Sequence, residues 1–158
     1  MPLKIRRVVT GHEDEGKAVV RFDEVCQHVR SSREGHHSCV IWSTGSFPTD
    51  NSGQDDGALR ATGSTDPNGT VFRIVQYDPG VAPRDHRTDS IDYAVVISGE
   101  IDMEIGESIV HLKEGDVLVQ RGTLHNWINR GSEPCVIAFV LVAAHPVERG
   151  GRVLHAMG

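Results

Sequence analysis

The first sixteen residues, MPLKIRRVVTGHEDEG, have no uninterrupted apolar run, because Lys4, Arg6 and Arg7 break up the few aliphatic side chains. A signal-peptide core or a membrane span cannot be built from them, so a cytoplasmic protein without membrane contact is expected. Cysteine is scarce: Cys26, Cys39 and Cys135 are odd in number, far apart and without a CxxC pair. That argues against a disulfide framework and predicts reduced, mostly buried thiols. Positive charge is in deficit, with 16 Lys and Arg against 22 Asp and Glu, net −6. A nucleic-acid partner would need a concentrated basic face to offset phosphate, so the expected partner is a small molecule. Internal repeats and coiled-coil heptads are also missing.

What the chain does have is enough apolar content, 38% of 158 residues, for one buried core. From Thr70 onward, short apolar runs alternate with Gly and Pro turn signals: TVFRIVQYDPG, DYAVVISG, EIDMEIGE, SIVHLKEGD, VLVQRG, LHNWINRG and CVIAFVLVAA. This rhythm predicts about seven strands of an all-β sandwich or barrel rather than βαβ units. Upstream, IRRVVTG, KAVVRF and SCVIWSTGSF can be strands, while FDEVCQHVRSSRE suits a short helical or irregular turn. Residues 50–69, DNSGQDDGALRATGSTDPNG, are nearly empty of large apolar groups and read as a surface loop, either a connector or a lid. The expected organisation is an N-terminal extension over 1–69, a barrel over 70–145 and a tail over 146–158.

Alternation along an extended strand places His86, Thr88, Ser90, Asp92, Ala94 and Val96 on one face, which can line a barrel interior. His125, Trp127 and Asn129 likewise share a face on a later strand. Among the other histidines, His36 and His37 are adjacent and read as a loop or surface pair, and no role is assigned to His12, His28, His111, His145 or His155.

Two segments resemble the paired motifs of the cupin family. In GVAPRDHRTDSIDYAVVISG, Gly80, His86, Asp92 and Gly99 keep the spacing of the first motif, with Thr88 where the family has its second His and Asp92 where it has Glu. In GDVLVQRGTLHNWIN, Gly115, Gly122, His125 and Asn129 follow the second motif, although its Pro is absent and Gly122 lies one residue early. The resemblance implies a cupin-type antiparallel β-barrel, also described as a double-stranded β-helix or jelly-roll. It also implies that His86, Asp92 and His125 converge.

Such a set is similar to the 2-His-1-carboxylate arrangement and would bind a divalent metal, Fe, Zn, Mn or Ni. The implied function is a metal-dependent enzyme acting on a small aromatic or carboxylate-bearing molecule, with Thr88, Trp127, Arg121 and Tyr93 around it and Arg84 as a further carboxylate partner. Two alternatives stay open: a metal-free isomerase, dehydratase or decarboxylase using the same His and Asp as acid and base, and a noncatalytic binding cupin. A homodimer is expected, with IRRVV and KAVVRF packed across the partner barrel.

Overall fold

The computed structural model describes residues 2–158, which form thirteen strands and one short 3-10 turn, Gly57–Leu59. In chain order the strands are β1 (Arg6–His12), β2 (Ala18–Val25), β3 (Arg30–Arg33), β4 (His36–Thr44), β5 (Thr70–Tyr77), β6 (Ser90–Ser98) and β7 (Glu100–Ile105). They continue with β8 (Ser108–Lys113), β9 (Val117–Arg121), β10 (His125–Ile128), β11 (Cys135–Ala143), β12 (Val147–Arg149) and β13 (Arg152–Leu154). All seven runs expected after Thr70 are strands. The irregular turn expected over residues 22–34 is instead the end of β2, a connection, and β3, whose polar RSSR sequence becomes a strand by pairing antiparallel with β4. Residues 147–154, within the segment read as a tail, form the β12–β13 hairpin. No helix among the described residues is long and apolar enough to cross a membrane.

A six-stranded sheet in the order β3-β4-β5-β11-β6-β9 and a three-stranded sheet in the order β10-β7-β8 enclose the main core. Alternation supplies that core from each strand: Val75 and Tyr77 of β5, Ala94 and Val96 of β6, Ile101 and Met103 of β7, Trp127 of β10, and Cys135, Ile137, Phe139 and Leu141 of β11. Ile137 is fully buried, and truncating such a residue to Ala costs roughly 2–5 kcal/mol because the cavity closes only in part. Gly99 turns the chain from β6 into β7 at φ +76°, with the Pro134 carbonyl 2.4 Å from where a Cβ would stand. Only glycine fits that corner.

A second apolar cluster lies on the other face of the large sheet. Cys39 and Ile41 of β4 and Ile74 of β5 pack there against Leu3 and Cys26, which flank the β1–β2 hairpin. The β1–β2 hairpin is therefore fastened to the outside of the barrel, whereas β3 and β4, which fall within the extension expected over 1–69, are strands of the barrel sheet itself. Arg7 is buried in this layer, bonding Glu24, Asp56 and the Ile41 carbonyl. All three cysteines are free and buried. Burial pushes the Cys39 and Cys135 thiols up to about 12.

Candidate functional site

The barrel interior opens into a pocket of about 60 Å³ whose walls include His86, Thr88, Asp92, His125 and Trp127, together with His36, Ser64, Arg73 and Arg84. Drug-sized ligand sites span roughly 300–1,000 Å³, so this space is several-fold smaller than those. A wider groove of about 540 Å³ lies between the N-terminal hairpin and β4, away from both barrel histidines.

His86 precedes β6 and His125 opens β10, and an isolated antiparallel bridge joins them. Their rings stand 4.2 Å apart between centroids. His86 Nδ1 lies 3.0 Å from the Arg84 carbonyl and His125 Nδ1 lies 2.8 Å from the Thr123 carbonyl. A carbonyl can only accept, so both Nδ1 atoms carry the proton and both Nε2 atoms keep their lone pair. Burial holds His86 down to about 4, helped by the neighbouring His125 and by Arg84 and Arg33, and burial lowers His125 as well. Both rings are neutral at physiological pH.

Asp92 on β6 is buried, and burial raises its carboxyl pKa against the opposing effects of Ser90 and Arg73. The Ser90 hydroxyl donates to Asp92 Oδ1 at 2.5 Å. Ser90 has one proton to give, so the 2.8 Å contact between Thr88 Oγ1 and Ser90 Oγ is donated by Thr88. The result is a relay from Thr88 through Ser90 to Asp92. Along β6 the expected parity holds: Ser90, Asp92, Ala94 and Val96 are buried and their odd neighbours are more exposed, while His86 and Thr88, ahead of the strand, line the same pocket.

The three residues line one pocket, but their ligand atoms do not close to within 4.8 Å as a set. Among the described residues only Cys26, His28 and Cys39 do so. The donor chemistry of the histidine pair fits a divalent ion, since neutral imidazoles oriented through Nδ1 are the usual nitrogen ligands. Asp92 is engaged by Ser90 instead.

Two residues expected around the ligand are elsewhere. Tyr93 is odd on a strand whose even residues face inward, and it is half-exposed on the outer face. Arg121 lies outside too, in a depression with Gly122, His145 and Val147. Trp127 is buried beside His125, with their rings edge to face at 5.8 Å.

Three wall residues were not foreseen. His36 is not a surface residue: β4 turns it inward against Tyr77, where burial lowers it to about 4, while His37 points the other way and meets Asp78. Arg73 lines the pocket in phase with Val75 and Tyr77. Its Nη2 donates to the Gly63 and Ser64 carbonyls, and its buried Nε has no partner among the described residues. An arginine on the inward phase of an apolar strand is a signal TVFRIVQY carries. Ser64 arrives from the 50–69 loop, which no local pattern reveals.

Residues 73–142 match the cupin domain family. Over 94% of its length the chain is 38% identical to phomopsin biosynthesis cluster protein C' of Diaporthe leptostromiformis, of which it covers 83%. Over the same share it is 34% identical to the cupin-domain-containing oxidoreductase fogC of Aspergillus ruber, of which it covers 77%. The chain belongs to the cupin family. The fold is also that of solved structures: a conserved Klebsiella pneumoniae protein with a double-stranded β-helix domain has a TM-score of 0.53 at 21% identity, covering 84% of this chain and 93% of that one. KdgF from Halomonas sp. has a TM-score of 0.51 at 15% identity, covering 73% and 87%.

Proposed function

We propose that this cupin is a metal-dependent enzyme of oxidoreductase type acting on a small carboxylate-bearing molecule in the barrel pocket. The observation that carries the reading is the histidine pair, two neutral rings side by side with both Nδ1 protons committed to backbone carbonyls. His86 and His125 would hold the ion. A divalent metal there supplies Lewis acidity and, for a redox-active ion, electron transfer. Relatives named cupin-domain-containing oxidoreductases support the reaction class.

The remaining roles belong to the protein's own groups. Arg73 and Arg84 give the pocket positive charge, and the unpartnered Nε of Arg73 is a donor for a substrate carboxylate. Trp127, Phe139 and Leu141 form the apolar wall that excludes water. A proton reaching Thr88 Oγ1 passes to Asp92 by two hydroxyl shifts, and the raised pKa of Asp92 makes it a better acceptor than an exposed carboxylate. The active unit in this reading is a symmetric homodimer, supported by the exposed apolar side chains of Tyr93, Val95 and Ile97 on β6 and of Val117 and Val119 on β9.

The relay also favours a second reading, a metal-free acid-base enzyme, because Asp92 ends a hydrogen-bond chain rather than closing on both imidazoles. Metal analysis of protein purified without an affinity tag separates the two. The first reading expects an ion that is lost in the His86→Ala and His125→Ala variants and whose chelation abolishes turnover. Full activity after chelation would remove it.

A further inference from the structure

On the outer face of the large sheet, away from the barrel pocket, Cys26, His28 and Cys39 bring one sulfur, one nitrogen and one sulfur within 4.8 Å of one another. Cys26 and His28 lie in the connection after β2, and Cys39 sits in the middle of β4. Twelve residues of chain and a hairpin turn separate the two thiols, so their meeting is a product of the fold.

We infer that Cys26, His28 and Cys39 form a second metal site, one that takes a thiophilic divalent cation of the Zn²⁺ class. Three observations carry it. First, Cys39 Sγ stands 3.5 Å from His28 Nε2. Zn–S of about 2.3 Å and Zn–N of about 2.0–2.1 Å at a tetrahedral angle place those atoms about 3.5 Å apart. Second, a dithiolate with one neutral imidazole is a soft donor set that selects Zn²⁺ over Mg²⁺ or Ca²⁺. Third, the surroundings are apolar: Leu3, Ile41 and Ile74 pack with both cysteines. A dication with two thiolates is neutral overall, which is the charge state such burial tolerates.

Binding balances simply. Each thiol releases a proton to solvent as its sulfur bonds the cation, and nothing is oxidised or reduced. His28 Nε2 now lies 2.7 Å from the Val40 carbonyl, so it carries a hydrogen there. Coordination moves that hydrogen to Nδ1 and turns Nε2 from the Val40 carbonyl toward the cation, and a water fills the fourth position. The ion would staple the β1–β2 hairpin to the barrel sheet. This site does not rest on the proposed barrel metal.

The test uses tag-free full-length protein, fully reduced and then freed of reductant under nitrogen, titrated with Co²⁺ as a spectroscopic stand-in for Zn²⁺. The expected result is a thiolate-to-cobalt charge-transfer band with tetrahedral visible bands, saturating at one equivalent and displaced by Zn²⁺. The band should persist in the His86→Ala/His125→Ala double variant. It should vanish in Cys39→Ser and Cys26→Ser, and His28→Gln, at a half-buried position, should weaken Zn²⁺ binding more than about 100-fold, beyond the 10–100-fold of outer-sphere changes. Absence of the band in wild-type protein overturns the inference, as does its survival in the Cys26→Ser/Cys39→Ser double variant. A Cys26–Cys39 disulfide in freshly isolated protein, with no metal uptake after reduction, overturns it as well.

Discussion

His86 and His125 each donate a backbone N–H to the other's carbonyl, at 3.0 and 3.1 Å, so the main chain rather than the side chains holds the two rings together. The bridge survives removal of either ring. His86→Ala and His125→Ala are therefore expected to fold with near-native circular dichroism while losing barrel-metal affinity by more than about 100-fold, since losing a ligand exceeds the effect of losing an outer partner. Calorimetric titration in a Cys26→Ser/Cys39→Ser background reads the barrel site alone. Wild-type affinity in both histidine variants would remove these residues from the ligand set.

Thr88 lines the pocket with the two histidines, at the position where the family's first motif carries its second His. Thr88→His should tighten metal binding and slow turnover, because the new imidazole takes a position that water or substrate needs. The gain should be larger near neutral pH than in mild acid, where the added ring is protonated. Metal affinity identical to wild type would favour the acid-base reading.

Arg73→Gln removes the guanidinium beside Asp92. Hydrogen bonds to charged groups contribute about 1.5–3 kcal/mol, so affinity for small carboxylates should fall roughly 10- to 100-fold, with little change for uncharged analogues. Equal losses for both probe classes, measured by ligand-detected NMR, would mean that Arg73 shapes the pocket without reading charge.

Acid should destabilise the metal-free protein as its buried His36 is forced to take up a proton. His36 is held at about 4 by burial, with Arg33, Arg73 and Arg84 adding repulsion and Ser32 and Tyr77 in contact. Unfolding restores its ordinary value of 6.5, so the unfolded chain binds more protons between pH 6.5 and 4. Stability is complete above that window and declines as pH falls through it. Asp92 offsets part of the loss, because its raised pKa favours the folded state when protonated. Urea midpoints measured from pH 7 to pH 4 should drop, and His36→Gln should flatten the slope. A wild-type midpoint constant across the window would contradict this.

Val117 and Val119 are 75% and 55% exposed on β9, opposite Val95 and Tyr93 of β6. If the active unit is a dimer formed through this face, Val119→Lys should convert it to a monomer by sedimentation at micromolar concentration. A wild-type monomer at that concentration would remove the proposal.

The strands from Thr70 to Ala143 were legible because their alternation and glycine punctuation are properties of each segment. β3 was not: RSSR has no apolar face and is a strand only because β4 offers it partners. The pocket divides the same way. His86, Asp92 and His125 are readable from spacing, and Tyr93 could have been excluded by the parity that selected Asp92. His36 and Ser64 come from β4 and from the 50–69 loop, brought in by pairings and contacts that no local pattern encodes. The Cys26, His28 and Cys39 cluster hides for that reason too.

Arg60 and Asp66 are bonded at 3.1 Å, closing residues 60–66 into a small ring. The ring hangs on Arg73, which donates to the carbonyls of Gly63 and Ser64. The unpartnered donor on Arg73 is a different atom, Nε. One guanidinium thus anchors the loop with one nitrogen and keeps another in reserve, so the two loop carbonyls would hold that second donor in aim while the proposed carboxylate binds.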